Sequence, residues 1–231
     1  MHFSHHPDIW QKYPELAAGA LYAEGIHSGA DAQPLVARFQ ATARDRLETA
    51  LSESELPEIQ AWRRVFSRMG LKPTQYRCAS ESLLRRFKKE GAMPQLHPLV
   101  DVCNALSMAF AIPVAALDTA HIAGWLQVRH ADGTENYQAF SGEMEHPDPG
   151  EVTFVDAENR SHARRWTNRQ SGLSAVRDAT RTVLIVCEGV HASAAADVPR
   201  LLDALTGVLA ELWGAQPRQA LLSASAPRFD F

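Results

Sequence analysis

Two small constellations carry most of the chemistry open to this chain. Asp101 and Asn104 stand three positions apart, one turn apart on a helix and so on one face of it. Both are poor mid-helix residues, so they are expected either to tie down a neighbouring loop or to line a pocket. The second constellation is Arg164-Arg165-Trp166-Thr167-Asn168-Arg169-Gln170-Ser171. Its guanidinium, indole and amide groups offer planar donors and a stacking surface suited to phosphates and bases. On a strand, Arg164 and Trp166 would face one way and Arg165 the other. The plainer reading is a buried tryptophan rimmed by exposed arginines. A third segment, Lys72-Pro73-Thr74-Gln75-Tyr76-Arg77, is turn-forming, basic and aromatic, and leads into a basic helix that carries Arg85, Arg86, Lys88 and Lys89.

The common catalytic signatures are missing. The chain has no phosphate loop, no GxGxxG, no GxSxG elbow, no HExxH and no paired CxxC. Its ten histidines do not fall at metal-ligand spacings, so no metal and no cofactor is expected. His2, His5 and His6 read as an exposed, floppy terminus. Cys103 lies on an apolar helix stripe, where a cysteine is usually a small buried hydrophobe rather than a nucleophile. Glu143 and Glu145, beside His146-Pro147-Asp148-Pro149-Gly150, read as a solvated loop.

Proline and glycine punctuate the elements that would position these groups. Pro34 opens a helix over 33–51, and Pro57 a second, with Ile59, Trp62, Val65, Phe66 and Met69 on one face and Gly70 at its end. Ser80–Glu90 is a third, stopped by Gly91. The fourth follows Pro98, with Leu99, Val102, Cys103, Leu106 and Phe110 along its stripe, and Pro113 ends it. Then the period changes. Trp125–Arg129 and Thr134–Phe140 flank Asp132-Gly133, a hairpin signal. Val152 and Phe154, with His162–Trp166, suggest a second strand pair around the turn Ala157–Arg160. Thr182–Cys187 reads as a buried strand. A helix carrying Val198, Leu201, Leu202, Leu205, Val208, Leu209 and Leu212 ends at Gly214, and the tail after Gln216 has only Leu221-Leu222 as an anchor. Helices first, then strands, then a helix argue for an α+β fold with mixed or antiparallel sheets and flanking helices.

The chain's 231 residues are 45% hydrophobic and 22% charged, which excludes disordered and collagen-like classes. One domain over 1–231 is expected, with a helical part at 1–70 and a terminal helix and tail at 191–231. Three widely spaced cysteines argue for free thiols and a cytoplasmic setting. Ala105–Leu117, broken by Ser107 and Pro113, is too short to cross a bilayer, and the histidine-bearing start does not have the form of a signal peptide. The net charge of −4 hides an uneven distribution: residues 61–91 hold nine Lys or Arg against Glu81 and Glu90, and residues 160–181 hold six Arg against Asp178. Such polarity means either two solvated faces or a basic side that meets a polyanion. The sequence leaves the oligomeric state open.

The same residues carry a family resemblance. Val100-Asp101-Val102-Cys103-Asn104 is similar to the VDVTN helix of the B3/B4 module of the bacterial phenylalanyl-tRNA synthetase β subunit. Ile112-Pro113-Val114-Ala115-Ala116-Leu117-Asp118 is similar to its QPxHAFD, and Thr180-Arg181-Thr182-Val183-Leu184 to its strand entry T-x-N-V-L. The KPTQYR and RRWTNR segments resemble free-standing proteins built from that module. The likeness covers roughly residues 72–190. It implies an α+β, sandwich-containing fold, contact with tRNA or aminoacyl-tRNA, and hydrolysis of a mischarged ester. Ala115 stands where the family has histidine and Cys103 where it has threonine, and Gln170-Ser171-Gly172-Leu173 carries no carboxylate where the family has an acidic residue.

The resemblance places Asn168, Arg169 and Asn104 as candidate catalytic residues. Asp101, Cys103, Ala115, Asp118, Arg164, Trp166, Gln170 and Ser171 are then candidates for the substrate pocket. Lys72, Tyr76, Arg77, Arg85, Arg86, Lys88 and Lys89 are candidates for the RNA surface. Two functions follow: a trans-acting aminoacyl-tRNA deacylase that works by positioning, or a non-catalytic tRNA- or amino-acid-binding module. A small-molecule esterase or amidase on the same scaffold is a third.

Overall fold

Proline sits in the first turn of four helices, where its missing N–H costs nothing because that donor would be unpaired anyway. A computed structural model describes all 231 residues. In chain order, β1 (His2–His5), α1 (Pro7–Lys12) and β2 (Ala17–Glu24) precede four helices, α2 (Gln33–Thr49), α3 (Pro57–Arg68), α4 (Ala79–Glu90) and α5 (Pro98–Phe110). The strand-rich part follows as β3 (Val114–Asp118), β4 (Trp125–His130), β5 (Asn136–Gln138), β6 (Met144–Glu145), β7 (Val152–Asp156), β8 (Arg160–Arg164), β9 (Arg169–Gln170) and β10 (Thr182–Gly189). The chain closes with α6 (Ala194–Trp213), β11 (Arg218–Leu222) and β12 (Arg228–Asp230). The architecture is α+β, as the element order predicts. No helix is long and apolar enough to cross a membrane.

Two sheets organise the molecule. The larger runs β12-β1-β4-β7-β8-β5-β6, with β9 on β8, and the smaller runs β11-β2-β10-β3. Alternation along β10 shows how they pack. Val183, Ile185 and Cys187 turn into one apolar cluster with α5 and α6, while Leu184 and Val186 turn into the other, with Phe3, Leu126, Phe154 and Trp166. The small residues of β2 let α6 lie close. A Cβ on Gly19 would stand 2.8 Å from Leu202 Cδ1 and 3.0 Å from Val198 Cγ1.

Four sequence expectations change. The amino-terminal histidines are not a floppy end: β1 lies between β12 and β4, and the His5 side chain is fully buried. The Asp132-Gly133 turn does not make a hairpin. β4 pairs with β7 and β1, whereas β5 runs parallel to β8. The cause is Glu135, whose carboxylate accepts the N–H groups of Asp132 and Gly133 and pairs with Arg129, so the chain is held in a loop and released toward β8. The strand expected over 162–166 stops at Arg164, because Arg165 (φ 48°) and Trp166 (φ 60°) take left-handed backbone. Finally, the tail forms two strands, and of its two leucines only Leu222 is buried.

Candidate functional site

The left-handed step at Arg165–Trp166 shapes the site. It drives the Trp166 indole into the layer between the sheets, edge-on to Tyr13 and Trp62, and brings Thr167, Asn168, Arg169 and Gln170 to the rim of a small cavity of about 70 Å³. Ala115, Val114, Phe154 and Val186 supply much of the apolar lining. The turn is tied at three points to the KPTQYR segment and the start of α4 that follows it. Asn168 Nδ2 donates to the Arg77 carbonyl at 2.7 Å, the Ala79 N–H donates to the Thr167 carbonyl at 2.8 Å, and the Arg165 guanidinium lies over the Tyr76 ring at 4.7 Å. Two segments that the sequence marks separately as unusual therefore form one structure.

The cavity's polar groups are few. Thr167 Oγ1 is buried without a hydrogen-bond partner, and Gln170 Nε2 donates to the Ala116 carbonyl at 2.8 Å. Arg169 pairs with Glu145 at 2.9 Å and lies over Tyr137 at the exposed rim. Glu188 is the one carboxylate among the lining residues. Its Oε1 accepts from Trp166 Nε1–H at 3.0 Å and lies 2.6 Å from His5 Nε2. Sequence reasoning ends the strand at Cys187 and passes over Glu188. The available signal is a carboxylate in phase with Leu184 and Val186, on the face of β10 that looks between the sheets.

A second cleft adjoins the first through Val114 and Gln170 and is also lined by His97, Cys103, Asn104, Ala116 and Phe140. Asn104 further lines a third depression, together with Asp101. The Asp101 carboxylate accepts the Leu96 N–H at 3.0 Å, and burial raises its pKa. His97, absent from the sequence-derived set, caps α5 by accepting the Leu99 N–H on Nδ1 at 3.1 Å. That bond leaves the ring proton on Nε2, which is buried and unpartnered. Burial lowers the pKa of His97, which keeps the ring neutral.

The remaining candidates stand apart from the cavities. Arg164 is 5% exposed, and its three nitrogens are engaged by Glu145 and Glu151. Asp118 accepts from the Ala120 N–H and Thr180 Oγ1. Ser171 donates to the Gln138 carbonyl. Glu145, expected in a solvated loop, instead pairs with Arg164 and Arg169. Arg160, Arg164 and Arg169 are thus neutralised internally. The Arg and Lys side chains of α4 stay exposed, though Arg86 pairs with Glu90, Arg85 with Glu53, and Lys88 donates to the Leu51 carbonyl. Lys72 is exposed and Arg77 sits 3.5 Å from Glu81. A groove lined by Glu15, Arg63, Arg64, Arg68, Pro73 and Thr74 adjoins this side; Arg68 pairs with Glu15 and Arg63 with Glu81, so its cation without a carboxylate partner is Arg64. Asp156, His162 and Ser174 follow one another at 3.1 and 2.8 Å. All three are sealed from solvent, so this Ser-His-Asp order serves the fold and gives no substrate access.

The thiols give a direct check on this geometry. Burial pushes Cys103 and Cys78 up to about 12 and raises Cys187 as well. A disulfide reagent added to the native protein should titrate none of the three, and all three once the chain is unfolded. Rapid native reaction at Cys103 would put a thiolate in the second cleft and reopen covalent chemistry.

Residues 61–206 match the family model described as the B3/4 domain. No curated protein matches the chain. Among solved structures it is similar to an N-terminal fragment of the phenylalanyl-tRNA synthetase beta-subunit from Pyrococcus horikoshii, with 10% identity and a TM-score of 0.49. The likeness covers 94% of this chain and 49% of that one, so the chain spans about half the fragment's length.

Proposed function

Because the chain belongs to the B3/4 domain family, we propose that it is a trans-acting aminoacyl-tRNA editing hydrolase, which cleaves the ester of a mischarged or non-standard aminoacyl-tRNA. The observation that carries this reading is the Arg165–Gln170 turn. It sets two amides and a guanidinium at the rim of a largely apolar cavity, with the Thr167 hydroxyl buried behind them, next to a basic helix and groove. An aminoacyl ester is already activated, so its hydrolysis needs chiefly a positioned water and a stabilised oxyanion. The Arg169 guanidinium at the exposed rim, beside its partner Glu145, and the Asn168 amide, whose Nδ2 already donates to Arg77, are the nearest donors for the ester and its oxyanion. The apolar walls would sort the amino-acid side chain by size. The exposed cations of α4, with Lys72 and Arg64, suit the tRNA backbone.

Ala115 in the cavity wall favours a second reading, a tRNA- or amino-acid-binding module without chemistry. A deacylation screen over correctly and wrongly charged tRNAs separates the two. Ester loss above the uncatalysed rate supports the hydrolase, and tRNA binding without it supports the module. Binding that neutralises about five phosphates should weaken with salt at a log–log slope of roughly −3.5 to −4.5. Charge reversal at Arg85, Arg86, Lys88 and Lys89 should flatten that slope. No tRNA binding at low salt, with turnover of small esters alone, would select a small-molecule esterase.

A further inference from the structure

The cavity's carboxylate is held in an uneven way. Both of its side-chain partners, His5 Nε2 and Trp166 Nε1–H, converge on Oε1 of Glu188. Oε2 has no hydrogen bond within the chain, and unlike His5 Nδ1 it is not sealed from solvent. Structural carboxylates in this protein take both forms: Arg164 forks across the two oxygens of Glu151 at 3.1 and 2.9 Å, whereas Glu58 and Glu81 use one oxygen and bury the other unpartnered. Glu188 differs from all three in having one oxygen fixed and the other both free and open, on a cavity wall that is otherwise largely apolar.

The partner that fixes it comes from outside the matched family region. His5 lies on β1 and is fully buried, with Phe3 edge-on at 5.2 Å and Trp10 at 4.9 Å. Since Oε1 of an ionised carboxylate can only accept, the imidazole proton belongs on Nε2. Two donors on one oxygen fix the carboxylate's rotamer and leave the lone pairs of Oε2 free to accept a proton.

We propose that Glu188 is the catalytic base of this cavity, and that His5 and Trp166 are positioning residues that hold its Oε2 toward the ester. The proposal rests on the hydrolase reading above. Oε2 takes a proton from water as the water oxygen bonds to the ester carbonyl carbon. The oxyanion then collapses, the bond from that carbon to the ribose oxygen breaks, and the ribose oxygen takes the proton back from Oε2. The amino acid and a tRNA with a free hydroxyl leave, and the carboxylate is regenerated.

The test is single-turnover deacylation of a mischarged tRNA that the wild-type protein hydrolyses, beside filter-binding affinity and thermal melts. Glu188→Gln should slow the chemical step by about 100-fold or more while tRNA affinity stays within roughly twofold. Formate added to Glu188→Ala should restore part of the rate, which a purely structural role would not allow. His5→Gln, whose amide can still donate to Oε1, should keep more of the rate than His5→Leu. If Glu188→Gln fails to melt cooperatively, Trp166→Phe removes one donor without a charge change and should lower the rate but not the affinity. Wild-type-like turnover of Glu188→Gln overturns the base assignment and leaves the hydrolase standing. Lost affinity with an unchanged saturating rate also overturns it, and makes Glu188 an ammonium receptor. A wild-type protein inert against the whole tRNA panel defeats the hydrolase reading and this proposal with it.

Discussion

Replacing Arg164 with alanine is expected to destabilise the protein by about 3–5 kcal/mol, the usual cost of removing one partner of a buried ionic cluster. Arg164 Nε and one terminal nitrogen fork onto Glu151, and the other terminal nitrogen reaches Glu145 at 2.6 Å. Burial works against the charged guanidinium, but the two carboxylates more than compensate and raise its pKa. Without it, the nearly sealed Glu151 keeps the Arg165 N–H at 2.8 Å, the Asp148 N–H at 3.3 Å and the more distant Arg165 guanidinium, none of which forks across both oxygens. Arg164→Lys should fall between the wild type and Arg164→Ala, because an ammonium cannot fork across both oxygens. Urea titration of the three proteins measures the effect. An Arg164→Ala protein of normal stability that fails to bind tRNA would return Arg164 to the substrate surface. The expected loss of stability instead makes it the anchor beneath the Arg165–Gln170 turn.

This residue also shows how far the sequence could be read. Arginines beside a tryptophan look the same in one dimension whether they greet a phosphate or neutralise carboxylates from a loop 13 to 19 positions earlier. The helices were legible because proline, glycine and the 3.6-residue stripe are local signals; Pro57 and Gly91 mark ends that the fold keeps. β2 was not legible. Its sequence, AAGALYAE, has no β-branched residue, and it is a strand because β10 and β11 pair with its two edges while α6 requires small side chains beneath it. β1 was missed for a similar reason, since pairing with β4, more than a hundred residues away, leaves no mark on four residues read alone.

The site was legible in its lip and not in its floor. Asn168, Arg169, Gln170, Trp166 and Ala115 all line the first cavity, while Cys103 and Asn104 line the adjoining cleft. Glu188 could not be paired with His5 from the sequence, because that pairing depends on two sheets meeting across the core. The absence of the family's histidine from position 115 suggested catalysis by positioning alone. The fold also places two imidazoles there, His5 behind Glu188 and His97 in the second cleft, from positions that no spacing rule connects.

Asp156→Ala should be comparably damaging, by about 3–5 kcal/mol, and it carries a pH signature that Arg164 does not. The Asp156 carboxylate accepts from Arg160 and the Ala123 N–H on one oxygen, and from the Glu158 and Arg160 N–H groups on the other, with His162 Nε2 3.1 Å away. Burial alone would raise its pKa, but these hydrogen bonds outweigh burial and hold the group far below the ordinary carboxylate range. A folded-state pKa below the unfolded one means that the carboxylate's contribution is complete at neutral pH. It is lost as pH falls, starting near pH 5 and continuing downward as the unfolded chain takes up a proton that the native state refuses. Wild-type stability should therefore drop more steeply with acid than that of Asp156→Asn, which has no such proton to bind. Asn is also not a neutral replacement at pH 7, since its NH₂ group would face donors. The measurement is urea unfolding of the two proteins between pH 3 and 7, taken as a difference so that other carboxylates cancel. Parallel curves would mean that the Asp156 network does not hold the β7–β8 turn. That would remove one restraint, through His162 and Ser174, on the loop that leads from the candidate site into β10.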